Sequence, residues 1–169
     1  VVGSNNGEIG GILFRINAVR VGYIICNRES AADDAYIRFG TQKTGGGVTE
    51  RLRITSTGKV SIGNESSPLG TLHVKEGDSG VTSADTSQDT LFLESNGNAG
   101  LTIATPNANT GYLTFADPQD SNVGQIIYRH SDNSMSMFVN AAERLRITSA
   151  GVVQIGKDDQ SSTTFTQDL

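Results

Sequence analysis

The chain is short of the residues that build a large core or a reactive centre. Its 169 residues include one cysteine, no tryptophan, two histidines and ten Phe plus Tyr. One cysteine excludes an internal disulfide framework and a multi-cysteine zinc site. The set AVILMFWYC supplies 36%, below the roughly 45–50% apolar content of a usual compact domain, so one copy builds a large core only with difficulty. The longest strictly apolar run is Tyr23-Ile24-Ile25-Cys26, far below the ~20 residues of a membrane helix. No basic stretch followed by an apolar one opens the chain, so no signal peptide and no membrane insertion are expected. The absent starting Met and the abrupt end at Asp168-Leu169 lead us to expect a fragment of a longer polypeptide. A net charge of −5 argues against general nucleic-acid binding, which needs clustered Lys and Arg against phosphates.

Small polar residues are abundant. Gly, Ser, Thr and Asn make up 66 of the 169 residues. Disorder is not the expected outcome, because the net charge is small and Val, Ile, Leu and Phe recur at short intervals. The apolar residues also follow an internal repeat. Residues 50–56 and 143–149 both read Glu-Arg-Leu-Arg-Ile-Thr-Ser, at an offset of 93. Gly58-Lys59-Val60-Ser61-Ile62-Gly63 aligns with Gly151-Val152-Val153-Gln154-Ile155-Gly156 at the same offset. Gly22-Tyr23-Ile24-Ile25 matches Gly124-Gln125-Ile126-Ile127 at an offset of 102, placing nine extra residues between Arg28 and Thr49 of the first copy. Gly11-Ile12-Leu13-Phe14 matches Gly111-Tyr112-Leu113-Thr114-Phe115 with one residue inserted. The expected organisation is a first β-repeat over 1–63, a connecting β-segment with a Gly/Ser/Asp-rich loop over 64–109, a second β-repeat over 110–156, and a linker or next unit over 157–169.

Period two dominates these segments. Leu52 and Ile54 share one face while Arg51 and Arg53 take the other; Met135, Met137 and Val139 alternate with Ser134, Ser136 and Phe138. Such alternation predicts half-buried antiparallel strands, and Ser56-Thr57-Gly58-Lys59 and Ser149-Ala150-Gly151-Val152 predict hairpin turns. The connecting segment predicts strands at 71–74, 90–93 and 101–104. Asn140 to Arg146 has helix formers and an Asn cap, but its counterpart follows Gly45-Gly46-Gly47-Val48-Thr49, which predicts strand for both. Leu52, Ile54, Val60, Ile62, Leu145, Ile147, Val153 and Ile155 form the expected core of the repeat. With no amphipathic helix to cover these faces, association of identical chains is expected. A dimer or sandwich would bury them as well as a threefold assembly.

The run Glu-Arg-Leu-Arg-Ile-Thr-Ser-x-Gly-x-Val-x-Ile-Gly, followed by Ser67-Pro68-Leu69-Gly70-Thr71-Leu72-His73-Val74, resembles the repeat of tailed-bacteriophage tail fibres and related virion fibres. Leu91-Phe92-Leu93-Glu94 and Gly111 to Phe115 extend the resemblance over nearly the whole chain. It implies an all-β fold of repetitive short hairpins in an elongated, intertwined homotrimer, β-prism or triple-β-helix like. It further implies a virion, extracellular location, and other fibre or baseplate segments as partners. The C-terminal self-cleaving chaperone domain of many relatives is not seen in the sequence, which fits a shaft or spacer piece.

Nothing in the residue pattern predicts a catalytic, cofactor or metal site. His73 and His130 have no Cys, His or Glu at ligand spacing, and His73 is expected as a half-exposed strand residue. Cys26 is expected as a small packed side chain. Asp33-Asp34 and Asp158-Asp159 lack calcium-loop spacing. The repeated sets Glu50, Arg51, Arg53 and Glu143, Arg144, Arg146 have three readings. They are a solvated strand face, inter-chain ion pairs that fix register, or a site for an anionic glycan. The functional expectation is a structural fibre module. A carbohydrate-receptor-binding module, a polysaccharide-degrading spike and a bacterial surface appendage are the alternatives.

Overall fold

In a computed structural model, residues 7–31, 33–156 and the strand Thr163–Phe165 are described; Asp158-Asp159 lies outside them. The chain is all-β, in two open sheets, with no helix among the described residues. It divides into two compact units, residues 1–100 and 101–169.

The first sheet runs in sequence order: β1 (Glu8–Ile16), β2 (Val19–Arg28), β3 (Ala35–Gln42), β4 (Val48–Ile54), β5 (Val60–Ile62), β6 (Leu72–Lys75) and β7 (Leu91–Glu94). The second holds β8 (Thr110–Phe115), β9 (Gly124–Arg129), β10 (Ser134–Val139), β11 (Ala142–Ile147), β12 (Val153–Ile155) and β13 (Thr163–Phe165), also in sequence order. The connecting segment's strands β6 and β7 thus complete the first sheet. The expected strand at 101–104 does not form, because a period-two pattern makes a strand only where a ladder partner meets it.

The two repeats match turn for turn. Gly58 N–H donates to Thr55 O and Thr55 N–H to Lys59 O, and Gly151 and Thr148 do the same with Thr148 O and Val152 O. Gly58 (φ 81°) and Gly151 (φ 80°) are left-handed there, the conformation glycine adopts without a Cβ penalty. Asn140 and Ala141 both have φ 55° and form the two-residue turn between β10 and β11, as a hairpin of matching twist requires. The asparagine therefore starts a turn and not a helix. The nine extra residues of the first copy are spread over its two turns, 29–34 and 43–47, and the strands they join. One sequence match is corrected. Phe14 pairs with Gly22 and Phe115 with Gly124, so Gly10 and not Gly11 is equivalent to Gly111, with no insertion within the strand. The Phe115 side chain packs over Gly124, where a Cβ would sit 3.3 Å from it, and Phe14 packs over Gly22.

The expectation of antiparallel strands in the repeats holds for β1 to β5 and for β8 to β12, while the connecting segment's strands join in parallel, β5–β6 and β6–β7. The returns, residues 63–71 and 76–90, carry the chain back to the same end without a helix. Local patterning cannot distinguish the two cases, because both alternate with period two.

Register sorts the side chains onto two chemically distinct faces. One ladder of the first sheet is Ile12, Ile24, Phe39, Leu52, Ile62, Val74 and Leu93; in the second, Leu113, Ile126, Met137, Leu145 and Ile155 run across. The opposite face carries Ile25, Arg38, Arg53, Ser61, His73 and Phe92, and in the second sheet Tyr112, Ile127, Ser136, Arg146 and Gln154. The polar face is the buried one. Glu50, Ser61, His73, Glu94, Ser134 and Ser136 are buried, and Tyr23, Ile25 and Ile127 are the buried large apolar side chains. None of the eight residues expected as the repeat's core is buried in the single chain: Ile54, Ile62, Ile147 and Ile155 are exposed, and the other four are half-buried. They line an open apolar face in each sheet.

Candidate functional site

Two polar constellations occupy the buried faces. The first occurs once per repeat and is built on a β-bulge. In a regular strand Glu50 and Arg53, three apart, point to opposite faces. The ladder slips between Phe39 and Gly40, leaving Arg51 as an extra residue, and Glu50 turns onto the face of Arg53. Arg53 then donates Nε to Glu50 Oε1 at 2.7 Å and a terminal nitrogen to Oε2 at 2.9 Å. In the second repeat the ladder slips between Met137 and Phe138. Arg146 grips Glu143 in the same bidentate way, at 2.8 and 2.7 Å. Donating to the Glu50 carboxylate holds the Arg53 guanidinium above its ordinary range against the cost of burial, and donating to Glu143 does so for Arg146. These pairs lie inside one chain. The exposed Arg51 stands apart, with Nε 3.2 Å from Thr41 Oγ1, and Arg144 takes the equivalent exposed place.

A third member of each set changes strands between the repeats. In the first, Arg38 on β3 hydrogen-bonds Asn27 Oδ1 on β2 at 2.9 Å and lies 3.9 Å from Glu50. The equivalent positions hold Ser136 on β10 and Arg129 on β9. Arg129 donates to Ser136 at 3.3 Å and lies 3.7 Å from Glu143. The aromatic partner crosses too. Tyr23 on β2, seated on Gly40, lies under Arg38 at 5.1 Å, whereas Phe138 on β10, opposite Gln125, lies under Arg129 at 5.9 Å. The repeats preserve a guanidinium over a ring and beside a glutamate, while exchanging the strands that supply them.

The second constellation belongs to the parallel strands. His73 on β6 is 1% exposed, not half-exposed as expected. The Phe92 ring meets it edge-on at 4.9 Å, and its Nε2 is 2.8 Å from Glu94 Oε2. Glu94 Oε1 accepts from the Ser79 N–H at 2.8 Å and the Ser79 hydroxyl at 3.0 Å. Lys75 Nζ sits 2.8 Å from Glu65 and 3.5 Å from Glu94. The Ser79 N–H, outweighing burial and helped by the Ser79 hydroxyl and Lys75, brings the Glu94 pKa down to about 2. Burial raises Glu65, but Lys75 and the Ser67 N–H outweigh it and leave its pKa low; Glu65 in turn holds Lys75 high.

Ligand atoms of Glu65, His73 and Glu94 fall within 4.8 Å of one another, close enough to share a metal ion. Donor chemistry opposes it. The Leu69 N–H points at His73 Nδ1, 3.3 Å away, so Nδ1 accepts and Nε2 keeps the proton; its 2.8 Å approach to Glu94 Oε2 lacks hydrogen-bond geometry. A metal ligand needs that nitrogen bare. The Lys75 ammonium already supplies the cation between the two carboxylates. General acid chemistry is opposed as well, since Glu94 is held ionised and His73 is closed to solvent. The arrangement is suited to clasping: it ties the two return loops, through Glu65 and Ser79, to β6 and β7.

Sequence reasoning singled out the two Glu/Arg sets and missed the clasp. Its trace is the row of triplets Val60-Ser61-Ile62, Leu72-His73-Val74 and Leu91-Phe92-Leu93, whose middle residues stack in parallel register. Cys26 is half-buried and faces Ile37 on the apolar side. Asp34 closes its own turn, accepting from the Ser30 and Ala31 N–H groups. No family model, curated protein or solved structure matches the chain.

Proposed function

We propose that the chain is a structural shaft or spacer module of a trimeric phage tail fibre or related virion fibre, serving host attachment without catalysis. The observation that carries this reading is the inverted burial. Each sheet buries its polar face and leaves its apolar face open, with Ile62 43% and Phe115 57% exposed. Eight exposed apolar side chains on the second sheet's open face leave roughly 600 Å² of it in water, at or above the largest apolar patch of an ordinary monomer. Such a surface is stable in water when identical chains bring their apolar faces together. The polar constellations then act as register locks and loop clasps. The repeat and its resemblance to virion-fibre sequences support the same reading. Sedimentation equilibrium together with negative-stain electron microscopy tests it. Trimer mass and rod-shaped particles are expected, and a stable folded monomer at 100 µM, or compact globules, would overturn it.

A further inference from the structure

Inner strands bury apolar side chains that they place on the polar face, Tyr23, Ile25 and Ile127, but β1 and β8 leave theirs open. Both are edge strands, and they are equivalents in the two repeats. In β1, Ile12 and Phe14 join the apolar face while Leu13 projects from the polar one; in β8, Leu113 and Phe115 join the apolar face and Tyr112 the other. All six are between 39% and 58% exposed. An edge strand with water on one face requires apolar side chains on the other face only. Natural edges are also blunted with lysine, proline or inward charge. Yet Ile9 to Phe14 and Thr110 to Phe115 contain no charged residue and no proline. The edge at β7 behaves differently, with Glu94 buried and held by Ser79.

Resting on the self-association proposed above, we infer that β1 and β8 are the intermolecular strands. In the assembled protein a second copy of this chain pairs along the outer edge of each and covers its second face, through Leu13 and Tyr112. The occupant follows from chemistry and area. Between Glu8 and Arg15 at its two ends β1 carries no charge, and β8 carries none, which fits another apolar strand of the same kind. The half-exposed side chains leave roughly 500 Å² open on β1 and its turn and roughly 300 Å² on β8. Together they approach the ~800 Å² per partner of a standard stable interface.

The test compares the intact chain with the double variant Leu13→Lys/Tyr112→Lys and the loop control Val81→Lys. Sedimentation equilibrium reads association and far-UV circular dichroism reads folding. Both strand positions are open in the single chain, so the double variant is expected to keep its β spectrum while associating at least tenfold more weakly; Val81→Lys leaves association unchanged. If the wild type is oligomeric and the folded double variant associates equally well, this inference fails while the fibre reading stands. If the wild type is a monomer, both fail. Should the double variant not fold, hydrogen exchange on the wild-type oligomer decides. Slow amides along β1 and β8 support the inference, and fast exchange there beside a protected β2 and β9 overturns it.

Discussion

Replacing Arg53 with alanine should be one of the most costly single changes on the first sheet's polar face. Glu50 is 8% exposed and accepts two hydrogen bonds from Arg53; the remaining cation, Arg38, stands 3.9 Å away. Truncating one partner of a fully buried pair costs about 3–5 kcal/mol. Arg53 and Arg38 keep 12% and 29% side-chain exposure, so water and Arg38 recover part of that, leaving about 2 kcal/mol. For a chain of this size that is a fall in Tm of about 4–8 °C. Arg51→Ala, one residue outside the grip, should cost less than ~0.5 kcal/mol. A double-mutant cycle of Arg53→Ala with Glu50→Gln should give a coupling of about 1–2 kcal/mol. The assay is urea and thermal unfolding by circular dichroism at one fixed protein concentration, since association adds to apparent stability. Equal losses for Arg51→Ala and Arg53→Ala, or a coupling below ~0.3 kcal/mol, would refute the reasoning.

Glu94 sets an acid limit. The Ser79 N–H brings its carboxyl down to about 2 from the ordinary 4.5 of a glutamate, so its contribution is full above the unfolded value and is lost as pH falls from there toward 2. Urea midpoints at pH 6, 4 and 3 should decline, and Glu94→Gln should flatten that decline while lowering the midpoint at pH 6. The strand exchange between the repeats predicts a rescue. Arg38→Ser should destabilise, and adding Asn27→Arg, which copies Arg129 and Ser136, should restore at least half of the loss in Tm. Gly40→Ala places a Cβ inside the Tyr23 ring and should cost more than about 2 kcal/mol. Gly47→Ala, with nothing within 4 Å, should leave the thermal midpoint unchanged.

Much of this organisation is legible from residue order. The seven-residue identity at 50–56 and 143–149 reveals the repeat, and Leu52 and Ile54 two apart reveal strand and face. Ser56 to Lys59 and its copy reveal the turn, because glycine is needed at one left-handed position. Even the expectation that the apolar face needs another surface follows from the absence of any amphipathic helix. Three-dimensional partners decided the rest. The bulge at Arg51 reassigns a side chain by one ladder slip that no local pattern records. The parallel stacking of β5, β6 and β7 brings His73 beside Glu94, 21 residues away in sequence, and buries a histidine that looks half-exposed in its own strand. The segment at 101–104 has strand patterning without a ladder to join.

By itself the sequence determined which residues alternate, where the chain turns, and that the pattern occurs twice, because these depend on backbone geometry within a few residues. Only the tertiary structure decided which face is inside. In one chain the long polar side chains of Arg38, Arg53, Lys75 and Glu94 fold over one another and over Tyr23, Ile25 and His73, so the polar face closes. The short aliphatic rows opposite are too short to fold over one another and stay open to water.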